Sequence, residues 1–173
     1  DLSQVLGELD QRAAQDDHFE FYWFPHTDLA MTKVNTRLPE SAPRQPLPRV
    51  GQWFDDMVIG TGLHQVACEL GKLVPTTIPF INRTSAKLWG DREFTDLSTN
   101  VFAAQRSVRF REMEYALPAE NVVPAFEALR ALIDERGWRI GFPIEVRFAA
   151  GDDRWLSTAY GRASGYIAVH RYW

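Results

Sequence analysis

The sequence is poor in lysine, which supplies three of its 19 basic residues, and it contains a single cysteine, Cys68. One cysteine excludes an internal disulfide, and within "GLHQVACELGKL" it reads as a buried small hydrophobe on a helix rather than a nucleophile. His18, His26, His64 and His170 are not spaced as metal ligands, so no metal site is expected. No G-x-G-x-x-G or Walker loop occurs, and "GRASG" at 161–165 is too short to cradle a phosphate and lacks a following helix. No apolar run reaches the length of a membrane span, and no signal peptide opens the chain. A cytoplasmic location, with peripheral membrane association as a variant, is the expectation. The formal net charge of −4 gives no electrostatic footprint for nucleic acid.

What is present is globular: 45% hydrophobic, 24% charged and 13% aromatic residues in 173. That length suits one domain, which would bury roughly 70% of its unfolded surface. The chain starts at Asp1 inside an amphipathic helix and stops at Trp173 at the end of an apolar strand. These ends read as those of a piece of a larger protein.

Periodicity divides the chain. Residues 2–14 carry Leu2, Val5, Leu6, Leu9 and Ala13 at helical spacing. "HFEFYWFPHTD" is an aromatic strand with Phe19, Phe21 and Trp23 on one face and Glu20 and Tyr22 on the other. "LAMTKVNTRL" follows as its antiparallel partner. Residues 39–51 hold four of the ten prolines and read as a loop. Residues 52–72 read as a helix with a break at Gly60 and Gly62, and a further helix follows Pro79. "SVRFREMEYALP" alternates, with a slip near Glu112 that suggests a bulge. Residues 119–137 form a helix with Val123, Phe126, Leu129, Leu132 and Ile133 inward and Gly137 as its C-cap. Strands at 143–149 and 166–172 complete an α+β pattern, an antiparallel sheet with helices mainly on one face.

The chemistry concentrates in "GFPIEVRFAA". Residues two apart on a strand share a face, so Glu145 and Arg147 lie side by side, opposite Ile144, Val146 and Phe148. A solvated ion pair would explain them equally well in isolation. If the last strand pairs here, His170 and Tyr172 join Glu145 and Arg147 on one surface. That surface would suit a polyhydroxylated ligand, because a carboxylate accepts from hydroxyls while Arg and His donate to oxygens. Glu112 and Glu114 form a second carboxylate pair that a solvated strand face explains as readily.

Together "HFEFYWFPHTD", "REMEYALP", "FPIEVRFAAGDDRWLSTAYGR" and "YIAVHRYW" resemble the aldonolactone oxidoreductases. These are vanillyl-alcohol-oxidase-type flavoproteins that include the L-gulono-1,4-lactone and D-arabinono-1,4-lactone oxidases and dehydrogenases. The resemblance implies a two-domain enzyme: an FAD-binding domain, and a cap whose antiparallel sheet covers the flavin and holds a sugar lactone. Residues 1–173 match the cap alone. The family's FAD pyrophosphate loop and its "HWGK" stretch fall outside them, so the chain by itself is expected to be inactive. Glu145 matches the glutamate that holds substrate hydroxyls, and Arg147 the arginine beside substrate and flavin. His170 and Tyr172 fall on the strand bordering the pocket, and Ser157, Thr158 and Tyr160 in the stretch near its wall. No histidine here corresponds to one that attaches FAD covalently.

The implied activity is oxidation of a sugar lactone by hydride transfer to FAD, with electrons passing to oxygen, a cytochrome or a dye-like acceptor. The implied partners are the lactone and the FAD-binding domain of the same parent protein. Two alternatives accompany this reading. One is an alditol oxidase cap that takes an open-chain polyol. The other is an inert binding or assembly module, associating as a homo-oligomer over an exposed sheet face.

Overall fold

The computed structural model describes residues 1–48, 63–88, 90–103 and 108–173, and of residues 63 and 64 the backbone only. The stretch expected to hold Trp53, Phe54, Met57, Val58 and the Gly60–Gly62 break lies outside the described residues.

Five strands form one antiparallel sheet: β1 (His18–Trp23), β2 (Ala30–Asn35), β3 (Phe110–Pro118), β4 (Ile144–Ala149) and β5 (Ser164–Tyr172). Their spatial order is β2-β1-β4-β5-β3, so β4 sits at the centre between β1 and β5. Alternation decides which side chains go inward. Phe19, Phe21, Trp23, Ile144, Val146 and Ile167 point to one face and are buried. Against them pack helices α1 (Leu2–Gly7), α2 (Leu9–Gln15) and α6 (Val122–Glu135), through Leu2, Val5, Leu9, Val122, Phe126 and Ile133. The Phe126 ring meets Phe21 and Trp23 edge-on, at 5.5 and 5.4 Å between centroids. This is the α+β layer that the pattern implied.

Local signals set the element ends. The Asp1 carboxylate accepts from the Ser3 amide at 2.9 Å and caps α1. Helix α6 closes with Gly137 at φ 60°, where the Trp138 amide donates to Ile133 and the Gly137 amide to Asp134, a Schellman arrangement. Gly165 on β5 is a contact requirement: a Cβ there would lie 2.1 Å from Val122 Cγ2 of α6.

Two further helices lie where β1 ends, β4 begins and β5 ends. α3 (Leu63–Leu73) and α4 (Ile78–Leu88) flank a 3₁₀ turn at Pro75–Thr77, and the short α5 (Ser98–Phe102) follows. The buried Asn82 amide donates to the carbonyls of Pro25 and Ile140, both at 2.9 Å, and so ties α4 to the end of β1 and the approach to β4. None of the described helices is long and apolar enough to cross a membrane.

Three expectations need correction. No bulge interrupts β3: its register with β5 runs unbroken from Phe110 opposite Tyr172 to Pro118 opposite Ser164. The apparent slip arises because Phe110 belongs to the polar-side face, where it packs on Phe142 and His170. The first helix is two, α1 and α2, separated at Glu8. Leu132 is 36% exposed rather than inward, since it lies at the margin of the α6 stripe centred on Phe126 and Ile133.

Candidate functional site

The sheet face turned away from α1, α2 and α6 is polar at its centre. Register assembles it row by row, because directly paired residues project to the same side. One row runs Tyr22, Glu145, Ala168, Glu114 across β1, β4, β5 and β3. The next runs Glu20, Arg147, Tyr166, Ala116. Glu112 lies opposite His170, one row further on. A residue-by-residue alternation thus places four strands' polar side chains over the same patch.

Glu145 is 5% exposed yet is a carboxylate on a central strand. Burial of such a charge requires partners. The Tyr22 hydroxyl donates to its Oε1 at 3.1 Å, and Arg147 Nε lies 3.3 Å from the same oxygen. Among the described residues Oε2 has no hydrogen-bond partner. Arg147 extends in the other direction as well, its Nη2 bonded to Glu114 Oε1. Partial burial of the guanidinium acts to lower its pKa, but the bond from Glu114 and the charges of Glu145, Glu114 and Glu20 outweigh it. The net shift is upward, and Arg147 is a fixed cation. Its Nη1 has no partner among the described residues, and its side chain is 43% exposed. At the near edge Lys33 Nζ holds Glu20 Oε1 at 2.7 Å.

His170 is 5% exposed and lies under the same face. Its Nδ1 is 3.4 Å from the Pro143 carbonyl, and the Phe110 ring meets it edge-on at 5.2 Å. Its Nε2 lies 3.5 Å from Glu112 Oε1, within ion-pair reach if the ring is protonated, but without hydrogen-bond geometry. Tyr172 shares the His170 face of β5, yet its hydroxyl donates to Glu69 of α3, which raises its pKa. The ring also lies under Lys72, 5.6 Å from Nζ.

The loop between β4 and β5 carries the remaining candidates, and the structure gives them separate tasks. Ser157 Oγ donates to Asp152 at 2.6 Å and accepts from the Ala159 amide at 3.1 Å, so it builds the loop. Tyr160 stacks on Trp155 at 6.0 Å between ring centroids, with half its surface exposed. Thr158 alone reaches the polar face, through a 2.7 Å hydrogen bond between its hydroxyl and that of Tyr166. Glu145, Arg147 and His170 are therefore brought together on one face, whereas Ser157 and Tyr160 are not.

Tyr22 and Tyr166 were not among the sequence candidates for the site, and Glu114 was read only as part of a carboxylate pair with Glu112 that a solvated strand face explains as readily. Their alternation put them on polar faces, but which strands lie beside β4 decides their neighbours, and that order is not a local property. A cleft of about 510 Å³ lined by Asp28, Val123, Glu127 and Arg130 lies on the helical side, remote from this face. No group of three or more His, Cys, Asp or Glu poised for a metal occurs among the described residues.

The chain is thus an α+β domain that buries one sheet face under helices and carries a carboxylate and a guanidinium on the other. The comparison with known proteins makes this specific. The chain belongs to the D-arabinono-1,4-lactone oxidase family, whose model matches residues 1–173. It is 42% identical over 177 residues to an L-gulono-1,4-lactone dehydrogenase of Mycobacterium tuberculosis, covering 99% of this chain and 39% of that protein. It is 32% identical over 174 residues to the L-gulonolactone oxidase of Scyliorhinus torazame, covering 99% of this chain and 38% of that protein. Its identity to the Bos taurus L-gulonolactone oxidase is 28% over 176 residues, with the same coverage. The chain thus spans about two fifths of the length of these relatives.

Proposed function

We propose that this domain holds the sugar lactone in an FAD-dependent aldonolactone oxidoreductase that oxidises a lactone CH–OH group, with L-gulono-1,4-lactone or D-arabinono-1,4-lactone as substrate. One observation carries the reading: Glu145 leaves Oε2 without a hydrogen-bond partner among the described residues, next to a permanently cationic Arg147 whose Nη1 is likewise unpaired. A lactone ring bears hydroxyls that donate and oxygens that accept, so this pair matches both ends of a carbinol–carbonyl unit. Family membership and the relatives' names supply the substrate class.

A flavin fits these residues on the ground of charge. Arg147 is the cation that would lie beside it, and its raised pKa keeps it charged at any working pH. The chemistry that FAD would supply when bound is a hydride acceptor for the carbinol carbon, while the hydroxyl proton would leave separately to a base or water. Glu145 would hold and orient the hydroxyls through Oε2, while Tyr22 and Arg147 occupy its other oxygen. Arg147 would stabilise negative charge that develops during the reaction, a preorganised contribution that water could not make so cheaply. The buried His170 borders the same surface and would contact the distal part of the substrate. The rest of the pocket wall and the bulk of the FAD contacts would come from another domain of the parent protein, since the chain spans about two fifths of its relatives' length.

Turnover of the full-length protein with L-gulono-1,4-lactone and with xylitol tests the substrate class. The proposal expects the lactone to be the better substrate, and a preference for xylitol would instead make the domain the cap of an alditol oxidase.

A further inference from the structure

Glu114 lies on β3, two strands away from Arg147 on β4, with β5 between them. Neighbouring strands are about 4.8 Å apart, so the two backbones are separated by roughly 10 Å. Their side chains nevertheless form an ion pair, which requires the Arg147 arm to pass over β5. The residue of β5 in the same row as both Glu145 and Glu114 is Ala168. Its side chain is the smallest available with a Cβ, so it leaves room for a long arm to cross above it, and it is 0% exposed.

We infer that Glu114 is a positioning residue for the reaction: with Glu145 it clamps the Arg147 guanidinium from the opposite side, across Ala168, and leaves Nη1 directed to the ligand. The inference rests on the proposed lactone site. Nε is held towards Glu145 and Nη2 by Glu114, so two of the three guanidinium nitrogens are restrained from different strands. Restraint from one carboxylate alone would leave the group free to swing about its long stem. The rival reading is an ordinary solvent-exposed ion pair, which contributes little. The two differ in what depends on Arg147.

The test uses the full-length, flavin-loaded protein with L-gulono-1,4-lactone as probe, following anaerobic flavin reduction. Glu114→Gln should slow reduction at saturating lactone about tenfold, the usual scale for a slightly misplaced group, while Glu114→Asp restores part of the rate. In an Arg147→Lys background Glu114→Gln should add less than about a twofold loss, because both changes act on one contact. A crystal structure of the Glu114→Gln protein should show the guanidinium moved from its wild-type position. An unimpaired Glu114→Gln protein with an impaired Arg147→Lys protein would overturn the positioning role alone, as would additive losses or an unmoved guanidinium. Wild-type rates in both Arg147→Lys and Glu145→Gln would overturn the lactone site with it.

Discussion

Glu145 is a buried carboxylate with one oxygen engaged by Tyr22 and Arg147 and the other open, an arrangement that favours function over stability. Replacing a buried ion pair with apolar residues is often neutral or stabilising, so the pair on this central strand is weak evidence for stability and is compatible with the proposed ligand role. Glu145→Gln and Arg147→Ala in the full-length protein should each slow flavin reduction by about a hundredfold or more, the scale of removing one preorganised donor or acceptor. Stopped-flow absorbance of the flavin checks this, and a rate near wild type would contradict it. Cys68 provides a prediction of the opposite kind. Burial and the Glu69 charge push its thiol up to about 11, so at pH 8 about one part in a thousand is thiolate. Alkylation by iodoacetamide should be slow at pH 8 and accelerate as pH rises towards that value. The thiol is half-buried rather than sealed, so slow reaction would report the proton and not access alone.

Among the elements, β5 carries the heaviest constraints. Gly165 must be small for α6 to approach, and Ala168 small for Arg147 to cross. Gly165→Ala should destabilise the domain by about 1–3 kcal/mol through overpacking against Val122 and Phe148, read as a lowered urea midpoint with the slope preserved. An unchanged midpoint would show that α6 can retreat at no cost. The faces of β1, β4 and β5 were legible in the sequence because alternation is local: Phe19, Phe21 and Trp23 inward, Glu145 and Arg147 outward. The Gly137 cap was legible for the same reason. The bulge in β3 was misread because Phe110 packs on the polar side, against Phe142 and His170, which only tertiary structure places there. Tyr172 appeared free for substrate, but α3 brings Glu69 to it from more than a hundred positions away in the chain. Ser157 and Tyr160 shared a motif with Thr158, yet a loop's internal hydrogen bonds decide which of three neighbours faces the sheet.

At the scale of the whole molecule, the domain is a two-faced sheet. One face is closed by α1, α2 and α6 around Phe126, and the other carries charge in three rows across four strands. In the proposed two-domain enzyme this face would form one wall of a pocket, and the chain's span of two fifths of its relatives leaves room for an opposing wall. The central claim is that the lactone meets this wall at Glu145 and Arg147. The most direct measurement is a crystal structure of the full-length, flavin-loaded protein with a bound lactone product or unreactive analogue. The account predicts a ligand hydroxyl within hydrogen-bond distance of Glu145 Oε2 and a ligand oxygen facing Arg147 Nη1. A lactone bound elsewhere, with Glu145 and Arg147 in bulk water, would contradict it.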